Sequence, residues 1–252
     1  MNLTELFTSI ANAIRSKKGT TELINAVDFP SEIENLKTAN LKITNASYLF
    51  YNGARIDYLY EFLSLCENIK STQRMFSGCT DLTELNLINW DTSNVTDMSY
   101  MFYDCKAFTK LDLSNLNTSK VSTTYQMFYN CNKLTELDLS NLDMGKLTNL
   151  NYMFQSCTNL TTINSFKNLG KGYTKTTKNY SNYKLDLTPS KKISKESLID
   201  IITNGLYDLN LTYDVANGGT LYTQQLNLGS DNLAKLNSQE LELATSKGWT
   251  VS

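Results

Sequence analysis

The chain has 252 residues, room for one repeat array with flanking modules or for two small domains. Its 23 Lys and Arg against 25 Asp and Glu give a formal charge of -2 with no cation-dense run, so the attraction to phosphate that nucleic-acid binding needs is missing. There is no histidine, which removes the commonest general base, metal ligand and nucleophile activator. An enzyme is therefore not expected, nor a cofactor, and without close Cys pairs such as C-x-x-C neither is a metal site.

The opening Met-Asn-Leu-Thr-Glu-Leu-Phe lacks the basic start, apolar run and cleavage site of a secretory signal, and no stretch approaches membrane-spanning length. The expectation is a chain assembled in the cytoplasm without membrane insertion, leaving, if at all, by a route such as lysis. Leu3, Leu6, Phe7, Ile10 and Ile14 have helical spacing, and Lys17, Lys18 and Gly19 supply cations and a glycine stop. Ile24, Val27 and Phe29 then precede Pro30, Ile33 and Leu36, so residues 1–40 are expected to form a small helical module. The run Ile10 to Gly19, followed by Phe29-Pro30-Ser31-Glu32-Ile33, is similar to a short N-terminal module of phage and prophage tail proteins from Gram-positive hosts. That resemblance implies an attachment or oligomerisation element; a simple helical cap over the first repeat is the other reading.

Residues 41–170 carry the strongest signal. Met75-Phe76-Ser77-Gly78-Cys79 returns as Met101-Phe102-Tyr103-Asp104-Cys105, Met127-Phe128-Tyr129-Asn130-Cys131 and Met153-Phe154-Gln155-Ser156-Cys157, each step being 26 residues. Leu49-Phe50-Tyr51-Asn52-Gly53 is a worn copy one period earlier, with Ile56, Leu59 and Ile69 in phase. A strict period of this length predicts a solenoid, in which each unit buries its apolar side only against the next. Within a unit, Leu111-Asp112-Leu113 alternates like a short strand, whereas Met98, Met101, Phe102 and Cys105 have helical spacing. The expected architecture is an α/β repeat: a parallel sheet on one wall and short helices on the other. Four of the five cysteines, Cys79, Cys105, Cys131 and Cys157, share one phase and should stack as buried free thiols, with Cys66 outside the ladder.

The pattern M-F-x-x-C-x-x-L-x-x-L-D-L-S, with the turn Asp91-Thr92-Ser93-Asn94-Val95, resembles the BspA-type leucine-rich repeat of bacterial and phage surface proteins. It departs from that pattern at Asp143-Met144-Gly145, where Thr-Ser is lost. The resemblance implies a display scaffold for adhesion or recognition and no catalytic residues.

Residues 171–252 read as an α+β capping module. Tyr173, Tyr180 and Tyr183 alternate with Lys171, Lys175, Lys178 and Lys184 in what reads as a solvated loop. Ser194 can cap a helix bearing Leu198, Ile201 and Ile202 that Gly205 stops. A strand is expected over 221–228. Asn237 and Glu240 then form a capping-box start to a helix ending at Gly248. The pattern L-N-L-G-S-x-N-L-A-K-L…A-T-x-K-G-W resembles a closing module that follows such repeats in phage tail and clostridial surface proteins. Its physical task would be to cover the open end of the sheet.

Two surfaces are candidates for partners. Tyr48, Tyr100 and Tyr152 share one phase, and Tyr51, Tyr103 and Tyr129 share another three residues later. Tyrosine gives contact area at low entropic cost, although packing at the edge of the wall would explain the same phases. On the strand side, Glu84, Asn86, Lys110, Asp112, Glu136 and Asp138 form a polar ladder that could hydrogen-bond a glycan or weakly bind a cation, or simply face water. The expected function is a structural protein of a phage or phage-tail-like particle, held to other virion proteins by residues 1–40 and meeting a host-surface protein or glycan. A homo-oligomer would suit such a display role. A decoration protein and a bacterial surface adhesin are the alternatives.

Overall fold

The computed structural model describes residues 43–53, 59–171, 184–209 and 224–252, apart from the side chains of Leu59, Glu61 and Phe62. The helix expected at the N-terminus, the Lys/Tyr stretch over 172–183, Ile56 and the start of the strand expected at 221 lie outside the described residues.

Successive 26-residue units are joined by backbone hydrogen bonds in parallel. The amides of Phe50, Phe76, Phe102 and Phe128 donate to the carbonyls of Met75, Met101, Met127 and Met153 at 2.8, 2.9, 2.9 and 3.0 Å. The intervening amides close local turns: Met101 N–H donates to Met98 O, Tyr103 N–H to Tyr100 O and Cys105 N–H to Phe102 O. Short helices were expected on this wall, and the structure corrects that to a run of consecutive turns. A right-handed helix spends its amides on carbonyls four residues back and keeps every residue at negative φ. Here the residue before each Met and the third residue after it sit at positive φ, as at Tyr100 (59°) and Asp104 (62°). Each reversal frees alternate amides to reach the next unit. The buried residues keep a helix-like spacing although no helix forms.

On the other side, β1 (Lys110–Asp112), β2 (Glu136–Asp138) and β3 (Thr162–Asn164) make a three-stranded parallel sheet. Leu111, Leu137 and Ile163 are in register and buried, and their neighbours face outward. The unit from Met75 does not contribute a strand: Leu87 is buried, but Leu82 and Leu85 are only partly covered. Between the sheet and the turns, parallel bridges run from Ser71 to Asp97, Thr123 and Asn149. Hydroxyls reinforce the spacing. Thr96, Ser122 and Thr148 donate to the carbonyls of Lys70, Thr96 and Ser122, and Thr135 and Thr161 do the same to Thr109 and Thr135.

A column of aromatic rings fills the interior. Phe50, Phe76, Phe102, Phe128 and Phe154 stack with centroids 5.3 to 5.8 Å apart and planes within 8° of parallel. Such pairs add about 0.5–1.5 kcal/mol each beyond area burial. Beside them, the thiols of Cys79, Cys105, Cys131 and Cys157 donate to the carbonyls of Phe50, Phe76, Phe102 and Phe128 at 3.0 to 3.1 Å. Burial pushes Cys79 up to about 11 and Cys157 to about 12, so these thiols are poor nucleophiles. No disulfide joins any of the five cysteines, and among the described residues no group of Cys, Asp and Glu could hold a metal ion.

The C-terminal residues close the stack. Helix α2 (Lys195–Asp200), following α1 (Leu59–Leu65) in the chain, starts at Ser194, whose side chain accepts from Ser197 N–H. It lies across the edge of β3, where Ile163 N–H donates to Ser197 Oγ at 3.1 Å and Ser165 N–H to Asp200 Oδ2 at 2.8 Å. The helix continues as a π turn, Ile201–Gly205. A Cβ at Gly205 would lie 2.5 Å from Ser165 Oγ, so the approach to the repeats requires glycine. A second parallel sheet follows, in the order β4 (Lys184–Asp186), β5 (Gln224–Asn227) and β6 (Trp249–Val251). Between β5 and β6 lie α3 (Ser230–Leu233) and α4 (Ser238–Ser246), the latter opened by the expected capping box of Asn237 and Glu240. Lys247 caps the π turn by donating to the carbonyls of Ile202, Thr203 and Leu206. Among the described residues no helix is long and apolar enough to cross a membrane.

Candidate functional site

The consecutive turns place two rows of positive-φ residues on the outer face of their wall. One row is Asn52, Gly78, Asp104, Asn130 and Ser156, residue types that mostly tolerate the left-handed region. The other is Tyr48, Arg74, Tyr100, Gln126 and Tyr152, at φ of 62, 55, 59, 53 and 58°. That second row throws large side chains outward, and Tyr48 and Tyr152 are 39% and 52% exposed.

The tyrosines singled out by phase come together. Tyr48 meets Tyr51 edge-on at 5.6 Å, Tyr100 lies 5.8 Å from Tyr103, and Tyr103 stacks on Tyr129 at 4.9 Å. Two participants escaped the sequence reading. Tyr125 bridges Tyr100 and Tyr152, with centroids 5.2 and 6.0 Å away, and so fills the rung that Gln126 leaves without a ring. Its own phase carries Ser47, Gln73, Ser99 and Asn151, so no tyrosine periodicity pointed to it. Arg74 places its guanidinium 3.9 Å from the Tyr100 ring centroid and 5.9 Å from that of Tyr103. It stands one period from Tyr48 and from Tyr100, so phase could have found it. Desolvation, then the neighbouring Tyr100 and Tyr152, raise the Tyr125 hydroxyl above its ordinary pKa.

The strand-side candidates divide. Lys110, Asp112, Glu136 and Asp138, with Thr162 and Asn164, line a shallow depression of about 190 Å³ over the sheet. Their polar groups are already engaged. Lys110 pairs with Glu136 at 2.7 Å, and Asp112 accepts from Ser114 N–H at 2.8 Å. Asp138 accepts from Ser140 and from Asn164 Nδ2. Burial alone would raise the Asp138 pKa, but the Ser140 and Asn164 hydrogen bonds outweigh it and hold the carboxyl below its usual 3.8. Glu84 and Asn86 are in phase but stand on a segment that is not a strand, and Asn86 is spent accepting from Ile88 N–H. Asn86, Asp112 and Asp138 each fasten the turn that follows them. The Asp143-Met144-Gly145 departure keeps the same device, with Asp143 accepting from Gly145 N–H as Asp91 does from Ser93 N–H.

Stacked M-F-x-x-C turns, an in-register L-x-L sheet and Asx-fastened corners define the repeat physically. Residues 65–168 match the family described as Mycoplasma protein of unknown function, DUF285. The match spans the four clear units, less than half of the chain, and the repeats it covers are of the general BspA-like kind. No curated protein matches the chain. The tyrosine belt lies largely on these BspA-like repeats, and Tyr48 and Tyr51 extend it onto the worn unit before them.

Proposed function

We propose that the BspA-like repeats form a leucine-rich-repeat solenoid that serves as a non-enzymatic recognition scaffold, with the tyrosine belt as its contact face. One observation carries this reading: Tyr48, Tyr100 and Tyr152 are kept at left-handed backbone positions where Asn or Gly would be less strained, each braced by a neighbouring ring, with Tyr48 and Tyr152 exposed and Tyr100 half-buried. The strand face supports it less, because its polar groups are consumed by intramolecular hydrogen bonds.

Within that reading the chain is a structural protein of a phage or phage-tail-like particle, attached to other virion proteins by residues 1–40 and presenting the belt to a host surface. The resemblance of the run at 10–33 to a phage and prophage tail module supports this placement; the run at 226–249 resembles a closing module found in phage tail and clostridial surface proteins alike. The match to a family described from a cellular organism favours a second reading, a bacterial surface adhesin using the same belt.

The test is binding of the purified chain to a panel of Gram-positive cells, with and without Tyr100→Asn, Tyr103→Ala and Tyr129→Ala combined. Asn is chosen at position 100 because it tolerates the positive φ. Loss of cell binding with an unchanged circular dichroism spectrum is the expected result. Equal binding would remove the belt from recognition and leave a decoration role within the particle.

A further inference from the structure

Resting on the reading of the tyrosine belt as the contact face, we infer that its ligand is a linear, uncharged polysaccharide of equatorially linked hexose or N-acetylhexosamine units, lying along the direction in which the repeats stack. Five successive units each contribute one planar π group to the belt: Tyr48, Arg74, Tyr100, Tyr125 and Tyr152. Parallel hydrogen-bonded neighbours are spaced about 4.8 Å apart, so the row extends roughly 19 Å. That is a track for an extended chain, and no enclosed pocket is needed for one small molecule.

The backbone gives an independent reason to read the row as a selected feature. A non-glycine residue in the left-handed region costs roughly 1–2 kcal/mol, and such strain concentrates where a side chain must be aimed. The parallel row of Asn52, Gly78, Asp104, Asn130 and Ser156 shows the small residues this backbone accepts with less strain. The belt's row carries Tyr48, Arg74, Tyr100 and Tyr152 instead, with Gln126 among them, and Tyr48 and Tyr152 stay exposed while Arg74 and Tyr100 are half-buried.

Chemistry around the rings selects the class of partner. Gln126 stands in the row and Gln73, Asn151 and Gln155 lie beside it in sequence, all half-buried, whereas the hydroxyls of Ser47 and Ser99 are already bonded to those of Ser71 and Thr123. Planar amides exchange hydrogen bonds with sugar hydroxyls, while the axial C–H faces of an equatorially linked pyranose lie flat on exposed phenol rings, which Tyr48 and Tyr152 supply. A protein interface is apolar at its centre, with Tyr and Arg enriched there, and this row is interrupted by half-buried amides and not joined to aliphatic side chains. The exposed large aliphatics among the described residues, Ile88 and Leu243, stand elsewhere in sequence and phase.

Charge argues in the same direction. Asp104 is held by Lys106 at 3.0 Å and by Asn130 Nδ2, and the guanidinium of Arg74 lies over Tyr100. A polyanion, nucleic acid included, needs a tracking row of cations, and the belt has a single arginine in it. A near-neutral, amide-rimmed aromatic track complements an uncharged chain.

Isothermal titration of the full chain with cellohexaose, chitohexaose and, as the anionic comparator, polygalacturonate tests the inference. At least one neutral hexasaccharide should bind, and polygalacturonate should bind more weakly. Tyr152→Asn, which removes a ring of 52% exposure at an Asn-tolerant φ, should weaken binding about tenfold or more. Tyr152→Phe should retain it, and Glu242→Gln on α4 should leave it unchanged; thermal melts verify that each variant is folded. Failure of both neutral hexasaccharides to bind, tighter binding of polygalacturonate, or full binding by folded Tyr152→Asn would each overturn it. The recognition reading is judged separately. Cell binding that depends on Tyr100, Tyr103 and Tyr129 but is abolished by protease treatment of the cells keeps the belt as the contact face and makes the partner a protein.

Discussion

Phe102 lies between Phe76, 5.5 Å away, and Phe128, 5.7 Å away, with Phe108 meeting it edge-on at 6.2 Å. Its ring is fully buried, so truncation leaves a cavity that two stacked neighbours and a perpendicular one border and cannot close by side-chain movement alone. Phe102→Ala should therefore cost about 3–5 kcal/mol, read as a lowered urea midpoint. A loss below about 1 kcal/mol would mean that the column is not a continuous packing unit. The same residue scale explains what the sequence concealed at the surface. Tyr48, Tyr100 and Tyr152 repeat strictly and were visible, whereas Tyr125 comes from a phase otherwise filled by Ser, Gln and Asn. Its part in the belt depends on how neighbouring turns aim their side chains, which no period records.

Among the elements, α2 has the clearest single task. The last strand of a parallel stack presents amides that would pair with another chain, and on β3 two of them are met by side chains, Ser197 Oγ and Asp200 Oδ2. This is a polar closure of the edge, achieved without adding a strand. Replacing both by alanine orphans the amides of Ile163 and Ser165, at about 1–3 kcal/mol for each group left buried and unpaired. The double variant should melt earlier and self-associate with rising concentration in light scattering. If it stays monomeric with wild-type stability, the edge is protected by something other than α2. A closing module was legible in the C-terminal pattern, but the contact was not, because Ser197 and Asp200 are ordinary first-turn and last-turn helix residues by sequence.

For the molecule as a whole, each unit contacts its neighbour through the same positions, so an internal unit should be removable. Deleting residues 106–131 joins Cys105 to Asn132, which has the phase that Lys106 had. The shortened chain should fold with a similar far-UV spectrum and a cooperative melt at lower temperature, as expected where stability sums over units and their interfaces. A chain that aggregates or loses its parallel signature would show that the units are not interchangeable. The deletion also takes Tyr125 and Tyr129 out of the belt, so a folded product would give a second measure of how recognition depends on belt length.

The sequence by itself determined the period, the buried phases and the polar corners, because burial in stacked units repeats the same residue at the same depth: Met, Phe and Cys on one wall, and Leu111, Leu137 and Ile163 on the other. It also determined the caps at Ser194 and Asn237, whose signals are local. Tertiary structure alone decided that the Met-Phe wall is built of turns. Residues spaced as on a helix face are buried equally well by a run of turns, and only pairing between units, with amides donated to a chain one period away, makes the turns preferable. The belt follows from the same cause, since the left-handed residues that break the helix are the ones that carry Tyr48, Arg74, Tyr100 and Tyr152 outward.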